Sequence, residues 1–178
     1  MLGWSITDFM KKILLVCLLC MPFSIVKGGE PNKGYRGYLD FALGDAYNFN
    51  TAQKVSTNNM QLYSMLSTTH GYALKNWFVG GGVGYYHSFR DKENMYPVYA
   101  AGRYTFRSAK LSPYIESRGG IVYDPHWVHK VQAYGTLGIG MNVYHRIQAG
   151  LMLSMFSRPS RYFTANAAVV VSYEFGKK

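Results

Sequence analysis

Histidine and serine are the first residues to consider for chemistry, because a serine nucleophile needs a histidine within hydrogen-bond reach and a third group to orient that histidine. On a strand, residues two positions apart share a face, so a His-x-Ser pair would bring both groups together. The chain contains no such pair, and the adjacent His87 and Ser88 would point to opposite faces of a strand. We therefore interpret His87 as a polar interface residue and predict no catalytic residue.

The sequence gives as little indication of metal or cofactor binding as it does of a serine nucleophile. His126 and His129, with Asp124 nearby, are the densest group of potential ligands, but Trp127 lies between the histidines, as is typical of an exposed contact surface. Cys17 and Cys20 are the only cysteines, and both lie in an N-terminal apolar run, which argues against a disulfide framework, a cysteine zinc site or a cysteine nucleophile. We predict no metal and no cofactor.

A second set of charged residues lies within alternating segments. Each shares one side of its segment with small or polar neighbours such as Ala42, Gly120 and Asn166. Arginine suits a confined interior, since its planar group holds two acceptors at once and stays charged when desolvated. Five of the eight are arginines, so we expect tyrosines to solvate the surplus, namely Tyr38, Tyr99 and Tyr114. The predicted lumen charge network is Arg36, Asp40, Arg103, Arg107, Glu116, Arg118, Arg146 and Glu174.

Segments with an apolar period of two position these charges, and this period is typical of β-strands. Most are longer than the about 5–6 residues usual in soluble strands and approach the about 9–11 that cross a bilayer at a tilt. We predict strands at 34–44, 59–72, 77–89, 96–107, 112–123, 131–143, 145–156 and 162–175. The predicted fold class is an all-β, eight-stranded, antiparallel up-and-down transmembrane β-barrel. The two faces of the second strand are not distinguished by the sequence.

The connections between these strands alternate in length. Longer polar ones at 45–58, 90–95, 124–130 and 157–161 alternate with short ones at 73–76, 108–111 and Tyr144. This asymmetry is typical of outer-membrane barrels with both termini in the periplasm.

The distribution of lysine and aromatic residues indicates which face is wet. A soluble barrel has the same period with apolar residues inside, but here the lysines beyond residue 33 fall in predicted loops, turns and termini. Aromatic rings near strand ends on the outward side are typical of membrane-interface girdles. The predicted interface aromatics are Tyr35, Trp77, Phe89, Tyr96, Phe106, Tyr123, Phe163, Tyr173 and Phe175.

The N-terminal region predicts export. Lys11 and Lys12 precede a short apolar run interrupted by Pro22, and small residues follow near Gly28. The run is too short for a membrane-spanning helix, which needs about 20 residues, and has the arrangement of a cleaved signal peptide. We predict a signal peptide at 1–28, with 1–9 a possible mis-called start, and a barrel domain at 29–178.

The composition restricts the partners. The 19 Lys and Arg residues outnumber 9 Asp and Glu, a formal charge of +10, yet they form no single basic face with aromatic platforms, so no nucleic acid partner is predicted. Basic residues in the long connections would face outer-membrane lipids and the phosphates of lipopolysaccharide. In an eight-stranded barrel the side chains fill the interior, so we expect a plugged lumen with no open pore, and a monomer.

The chain resembles the small outer-membrane β-barrel family of Gram-negative bacteria, in particular its Bacteroides-type members. The resemblance covers residues 33 to 176 and rests on the segments 67–72, 77–86, 96–104, 112–116 and the terminal run to Phe175. It implies a barrel in the outer membrane. The terminal aromatic strand resembles the signal read by the barrel-assembly machinery, although Gly176, Lys177 and Lys178 follow it here.

We expect a structural or surface-interaction role for such a barrel. The alternatives are an enzyme that modifies lipid or lipopolysaccharide near the membrane surface, using His87 or the segment with His126 and His129, and a narrow channel.

Overall fold

The computed structural model describes residues 33–50, 61–106, 112–126, 131–158 and 162–176, with the side chains of 48–50, 158, 162 and 163 outside this description. Each strand pairs antiparallel with its neighbour in the chain, and β1 also pairs with β8, which closes the sheet. The predicted eight-stranded antiparallel barrel is confirmed. In the described ranges, no helix is long and apolar enough to cross a membrane. The strands are β1 (Lys33–Asn50), β2 (Gln61–Leu74), β3 (Trp77–Ser88), β4 (Asn94–Thr105), β5 (Pro113–Tyr123), β6 (Val131–Tyr144), β7 (Ile147–Arg158) and β8 (Tyr162–Gly176).

The two ends of the barrel differ in their connections. Two-residue turns join β2 to β3 and β6 to β7 at the end that we call the lower end. The first residue of each turn has a left-handed backbone, with φ of 55° at Lys75 and 43° at His145, as tight hairpin turns require. At the opposite, upper end, the connection from β1 to β2 spans residues 51–60.

The first strand is longer than its sequence suggests. The prediction that a loop begins at Asp45 is wrong, because β1 continues to Asn50 and pairs there with Tyr162 of β8. The polar residues of this end had indicated a loop, but a strand depends on its backbone ladder, and the partner strand supplies that ladder whatever the side chains are.

The structure resolves the faces of β2. Tyr63 and Met65 are buried inside the barrel, whereas Leu62 and Leu66 are about half exposed on the outside. Aromatic and thioether groups occur on both faces of this barrel, which is why the sequence pattern of β2 was ambiguous.

Candidate functional site

Two arginines share one glutamate near the middle of the lumen. Arg103 Nε donates to Glu116 Oε2 at 2.6 Å, and Arg118 Nε donates to Glu116 Oε1. Arg118 also donates through Nη2 to Asp40 Oδ2 at 2.6 Å and through Nη1 to Ser67 Oγ at 3.1 Å. All five side chains are at most 8% exposed, so these pairs cross the barrel interior from β4 and β5 to β1 and β2.

The network continues to the lower end through an amide. Arg103 Nη1 donates to Gln148 Oε1 at 2.5 Å, and Gln148 Nε2 donates to Glu174 Oε2 at 3.3 Å. Arg36 Nη1 then pairs with Glu174 Oε1 at 3.3 Å. Gln148 therefore bridges two ion pairs, and we use charge network for Arg36, Asp40, Arg103, Glu116, Arg118, Gln148 and Glu174 together.

Tyrosine rings enclose the buried guanidinium groups. The Cζ atom of Arg103 lies 3.8 Å from the ring centroid of Tyr38 and 4.3 Å from that of Tyr114. Arg118 Nη1 donates to the hydroxyl of Tyr99 at 3.2 Å, and that hydroxyl is also hydrogen-bonded to Thr69 at 2.9 Å. These contacts place cations over aromatic faces, an arrangement that is strongest when water is excluded.

The described network holds three arginines and three carboxylates, so the expected arginine surplus is absent there. The placement predicted for Arg146 is wrong, because Arg146 lies exposed in the turn between β6 and β7. Arg146 falls within the predicted strand 145–156, but alternation ends where the strand ends, and β7 begins only at Ile147. Arg107 lies outside the described residues.

Glycines make room for the tyrosines of the interior. A Cβ atom on Gly82 would lie 2.6 Å from the Tyr99 ring, and one on Gly140 would lie 2.6 Å from the Tyr114 hydroxyl. Either contact is far shorter than van der Waals distance. Gly82 and Gly140 therefore let these two rings lie flat against the barrel wall beside the charge network.

The upper half of the lumen is filled by rings. Tyr63 and Tyr86 stack with centroids 4.7 Å apart, Tyr134 and Phe156 stack at 5.3 Å, and Tyr86 meets Phe156 edge to face at 5.5 Å. All four residues are at most 4% exposed. We call Tyr63, Tyr86, Tyr134 and Phe156 the aromatic plug.

Little empty space remains beside the charge network. A cavity of about 20 Å³ lies between Arg103, Glu116, Met152 and Ser172. A volume of that size holds about one water molecule. In the described residues, this cavity therefore has no room for an organic ligand beside the charge network.

The outer surface has the opposite character. Its mid-barrel positions carry large apolar side chains, among them Leu137 at 65% and Val79 at 62% exposure. Outward positions of the described strands carry Lys, Arg, Asp or Glu only at Lys33 and Asp45, near the two ends of β1. Contiguous exposed apolar surface on this scale is typical of a face that contacts lipid or protein.

The predicted interface aromatics lie outside the barrel in two groups. The upper group also contains Tyr85, which lies 5.8 Å from Tyr96 between ring centroids. Phe163 is part of β8, but its side chain lies outside the description. The upper group is Tyr85, Phe89, Tyr96 and Tyr123, and the lower group is Tyr35, Trp77, Phe106, Tyr173 and Phe175.

The histidine and carboxylate groups of the upper connections do not converge. Asp124 is fully buried, where its carboxylate accepts hydrogen bonds from the His126 backbone N–H at 3.0 Å and from Gln132 Nε2 at 3.3 Å. The His126 side chain is exposed, and His129 lies outside the described residues. Among the residues that the structure describes, no three His, Cys, Asp or Glu side chains are grouped to hold a metal ion.

Some members of the site could not be identified from sequence spacing. Gln148 is uncharged, and its bridging role depends on the pairing of β7 with β8. Likewise, the neighbours of His87 across the sheet are Ser64 on β2 and Asn94 on β4. Strand register is the only signal that brings these residues together.

Comparison with known proteins supports the fold. No protein-family model and no curated protein matches the chain. Neisserial surface protein A matches with a TM-score of 0.57 and 11% identity over 80% of this chain and 99% of that one. The outer membrane enzyme PagL matches with a TM-score of 0.60 and 11% identity over 76% and 98%.

Ail, the attachment invasion locus protein of Yersinia pestis, matches in its complex with the heparin analogue sucrose octasulfate. The TM-score is 0.50 and the identity 11%, over 79% of this chain and 99% of Ail. At this identity the similarity concerns the fold, and the chain has the fold of small eight-stranded outer-membrane barrels. These neighbours include both an enzyme and surface proteins, so they do not select one activity.

Proposed function

We propose that the protein is an outer-membrane β-barrel of a Gram-negative bacterium with a closed lumen and a structural or surface-interaction role. The observation that carries the proposal is the filled interior, in which the charge network closes the lower half and the aromatic plug the upper half. A barrel closed in this way acts through its exterior and its upper connections.

The exterior supports the membrane location. The apolar belt between two aromatic groups matches the arrangement of a barrel in a bilayer, with rings at the headgroup level. We further propose that residues 1–28 are a cleaved signal peptide, that the barrel-assembly machinery inserts the chain, and that the barrel is a monomer. The intact mass of protein isolated from outer membranes tests the first of these, with a first residue near Gly29 expected.

Electrical recording in planar bilayers tests the closed lumen. The refolded protein is first checked by heat-modifiable migration on a gel and then added to the bilayer. We expect no discrete conductance steps from the unmodified chain. Steps in the unmodified chain that grow in Arg103→Ala or Glu116→Ala would favour the narrow channel instead.

A partner at the upper end follows from charge. Arg90 and Lys92 are exposed in the connection between β3 and β4, where they alternate with Asp91 and Glu93, and we propose that the two cations bind phosphates of lipopolysaccharide. We expect binding of lipopolysaccharide by the refolded barrel to weaken with added salt and with the double variant Arg90→Gln and Lys92→Gln. Binding unchanged by both would contradict this partner.

A further inference from the structure

Three polar side chains form a row on the outer surface near the upper end. Ser64 of β2 is paired with His87 of β3, and His87 is paired with Asn94 of β4. All three lie at outward positions and are half-buried. Directly opposed residues on antiparallel strands have Cβ atoms about 4.5–5.5 Å apart, so the three side chains are within reach of one another.

The hydrogen bonds of Asn94 fix the orientation of the imidazole. Its Oδ1 atom accepts from His87 Nδ1 at 2.7 Å and from the Tyr85 hydroxyl at 2.7 Å. An amide oxygen only accepts, so the ring proton lies on Nδ1 and the lone pair on Nε2. No hydrogen bond joins Nε2 to any described residue, Ser64 included, so this nitrogen is free to accept a proton, and Ser64 is the residue paired with His87 on the neighbouring strand.

A second histidine on the outer surface shows what a purely structural arrangement looks like. The two ring nitrogens of His70 are both engaged, with Nδ1 bonded to the Tyr35 hydroxyl at 2.5 Å and Nε2 to Thr68 Oγ1 at 3.0 Å. Phe175 packs edge to face against the same ring, with centroids 5.4 Å apart. His70 thereby satisfies its polar atoms on an apolar surface, whereas His87 keeps one nitrogen uncommitted.

The depth of the row indicates the substrate. Tyr85 of β3 and Phe89, which directly follows β3, flank His87, with Phe89 5.1 Å from the imidazole between centroids. These rings belong to the upper aromatic group, and such rings settle at the boundary between headgroups and hydrocarbon. The ester carbonyls of membrane lipids lie at this boundary, and the connection between His87 and Asn94 carries exposed Arg90 and Lys92 together with Asp91 and Glu93.

We propose that Ser64, His87 and Asn94 form a hydrolytic site for acyl esters of membrane lipids. Ser64 Oγ attacks the ester carbonyl carbon while its proton passes to His87 Nε2. The bond from that carbon to the lipid alcohol oxygen breaks, and His87 returns the proton to the leaving oxygen. Water then attacks the acyl-serine with His87 as base, which releases the fatty acid and restores Ser64.

Asn94 is a positioning residue in this proposal, since it acts through His87. The site lies outside the lumen, so it is independent of the proposed closed lumen, but it replaces the interpretation of His87 as a polar interface residue and adds an enzymatic activity to the proposed structural or surface-interaction role. A conducting barrel with lipid turnover would overturn the closed lumen alone. A barrel that shows neither conductance nor lipid hydrolysis would overturn the hydrolytic site alone.

The direct test measures fatty acid release by mass spectrometry. The refolded full chain is reconstituted into vesicles of phosphatidylglycerol in one arm and into vesicles containing lipid A in the other. Release in either arm supports the proposal and identifies the source of the ester. We expect Ser64→Ala and His87→Ala each to lower the initial rate at least about 100-fold, the lower range for loss of a nucleophile's base.

Two control variants separate chemistry from folding. His70→Gln alters the other outward histidine and Ser117→Ala an exposed serine on β5; we expect rates within about twofold of the unmodified chain for both. Heat-modifiable migration verifies that every variant is folded. No release in both arms from folded protein would overturn the proposal, as would release that persists in both Ser64→Ala and His87→Ala.

Two further readouts address the individual roles. A fluorophosphonate probe should add its mass to the peptide containing Ser64, and the adduct should be lost in Ser64→Ala. The ¹⁵N shifts of the His87 ring should report a protonated Nδ1 and an unprotonated Nε2, and Asn94→Leu should abolish this preference and shift the pH profile of release. An adduct elsewhere, or an unchanged tautomer in Asn94→Leu, would contradict the assigned roles.

Discussion

The lower and upper halves of the lumen are filled in different ways. In the lower half, Arg103 and Arg118 each bond to Glu116, and the network extends through hydrogen bonds and an ion pair between Arg36 and Glu174. In the upper half, Tyr134 and Phe156 stack with nearby rings and depend on shape. The lower half thus depends on bonds between specific atoms, and the upper half depends on how well its side chains fill the available volume.

The difference predicts how each half responds to change. Removal of one member of a buried charge network leaves its partners as uncompensated charges, which costs more than the contact itself contributed. Removal of a ring leaves a cavity, and neighbouring side chains of similar shape can fill part of it. The lower half should therefore be intolerant of any truncation, and the upper half tolerant of apolar replacement.

The largest effect is expected for Arg118→Ala. Asp40 and Glu116 would lose their shared partner at sites that are 1% and 8% exposed, so we expect the free energy of unfolding to fall by about 3–5 kcal/mol. Equilibrium urea unfolding in lipid vesicles measures the change. Arg146→Ala is the matched control, and its exposed turn position predicts a change within about 0.5 kcal/mol. Equal effects of the two variants would contradict the network.

An intermediate effect is expected for Phe156→Ala. This residue is 1% exposed and packs between Tyr86 and Tyr134, so truncation should lower the free energy of unfolding by about 3 kcal/mol. Phe156→Leu retains most of the volume and should cost less than about 1.5 kcal/mol. The same urea titration compares the two. Equal losses in the free energy of unfolding for Phe156→Leu and Phe156→Ala would show that side-chain volume does not stabilise the aromatic plug.

The smallest effect is expected for a matched pair of serines. Ser67 is 2% exposed and accepts a hydrogen bond from Arg118, so Ser67→Ala should cost about 1.5 kcal/mol. Ser88, at the upper end, is 3% exposed and its hydroxyl has no partner among the described residues, so Ser88→Ala should be nearly neutral. Urea unfolding again measures both. A larger loss of stability in Ser88→Ala than in Ser67→Ala would contradict the proposed difference between the two halves.

Much of the barrel could be predicted because a period of two reports the side of each strand directly. Asp40, Arg103, Glu116 and Arg118 were placed inside by this rule, and the structure pairs them. The rule fails where alternation ends, as at Arg146 in a turn. It is also uninformative where both faces carry large side chains, as at Tyr63 of β2.

The remaining features depend on register, which sequence spacing does not contain. The polar end of β1 is a strand because β8 extends alongside it as far as Tyr162. The row of Ser64, His87 and Asn94 exists because three strands align in one register. A search for pairs two residues apart misses such a row, since its members come from different strands.

Chemical labelling tests most directly the central claim that the outer surface faces lipid. Leu137→Cys and Arg146→Cys are made in a chain whose own Cys17 and Cys20 are replaced by alanine. Both positions are exposed in the isolated barrel, so only a bilayer would distinguish them. With a membrane-impermeant maleimide on both sides of the vesicles, we predict labelling of Arg146→Cys and protection of Leu137→Cys that is lost on unfolding. Equal labelling of both cysteines in the folded protein would contradict the account.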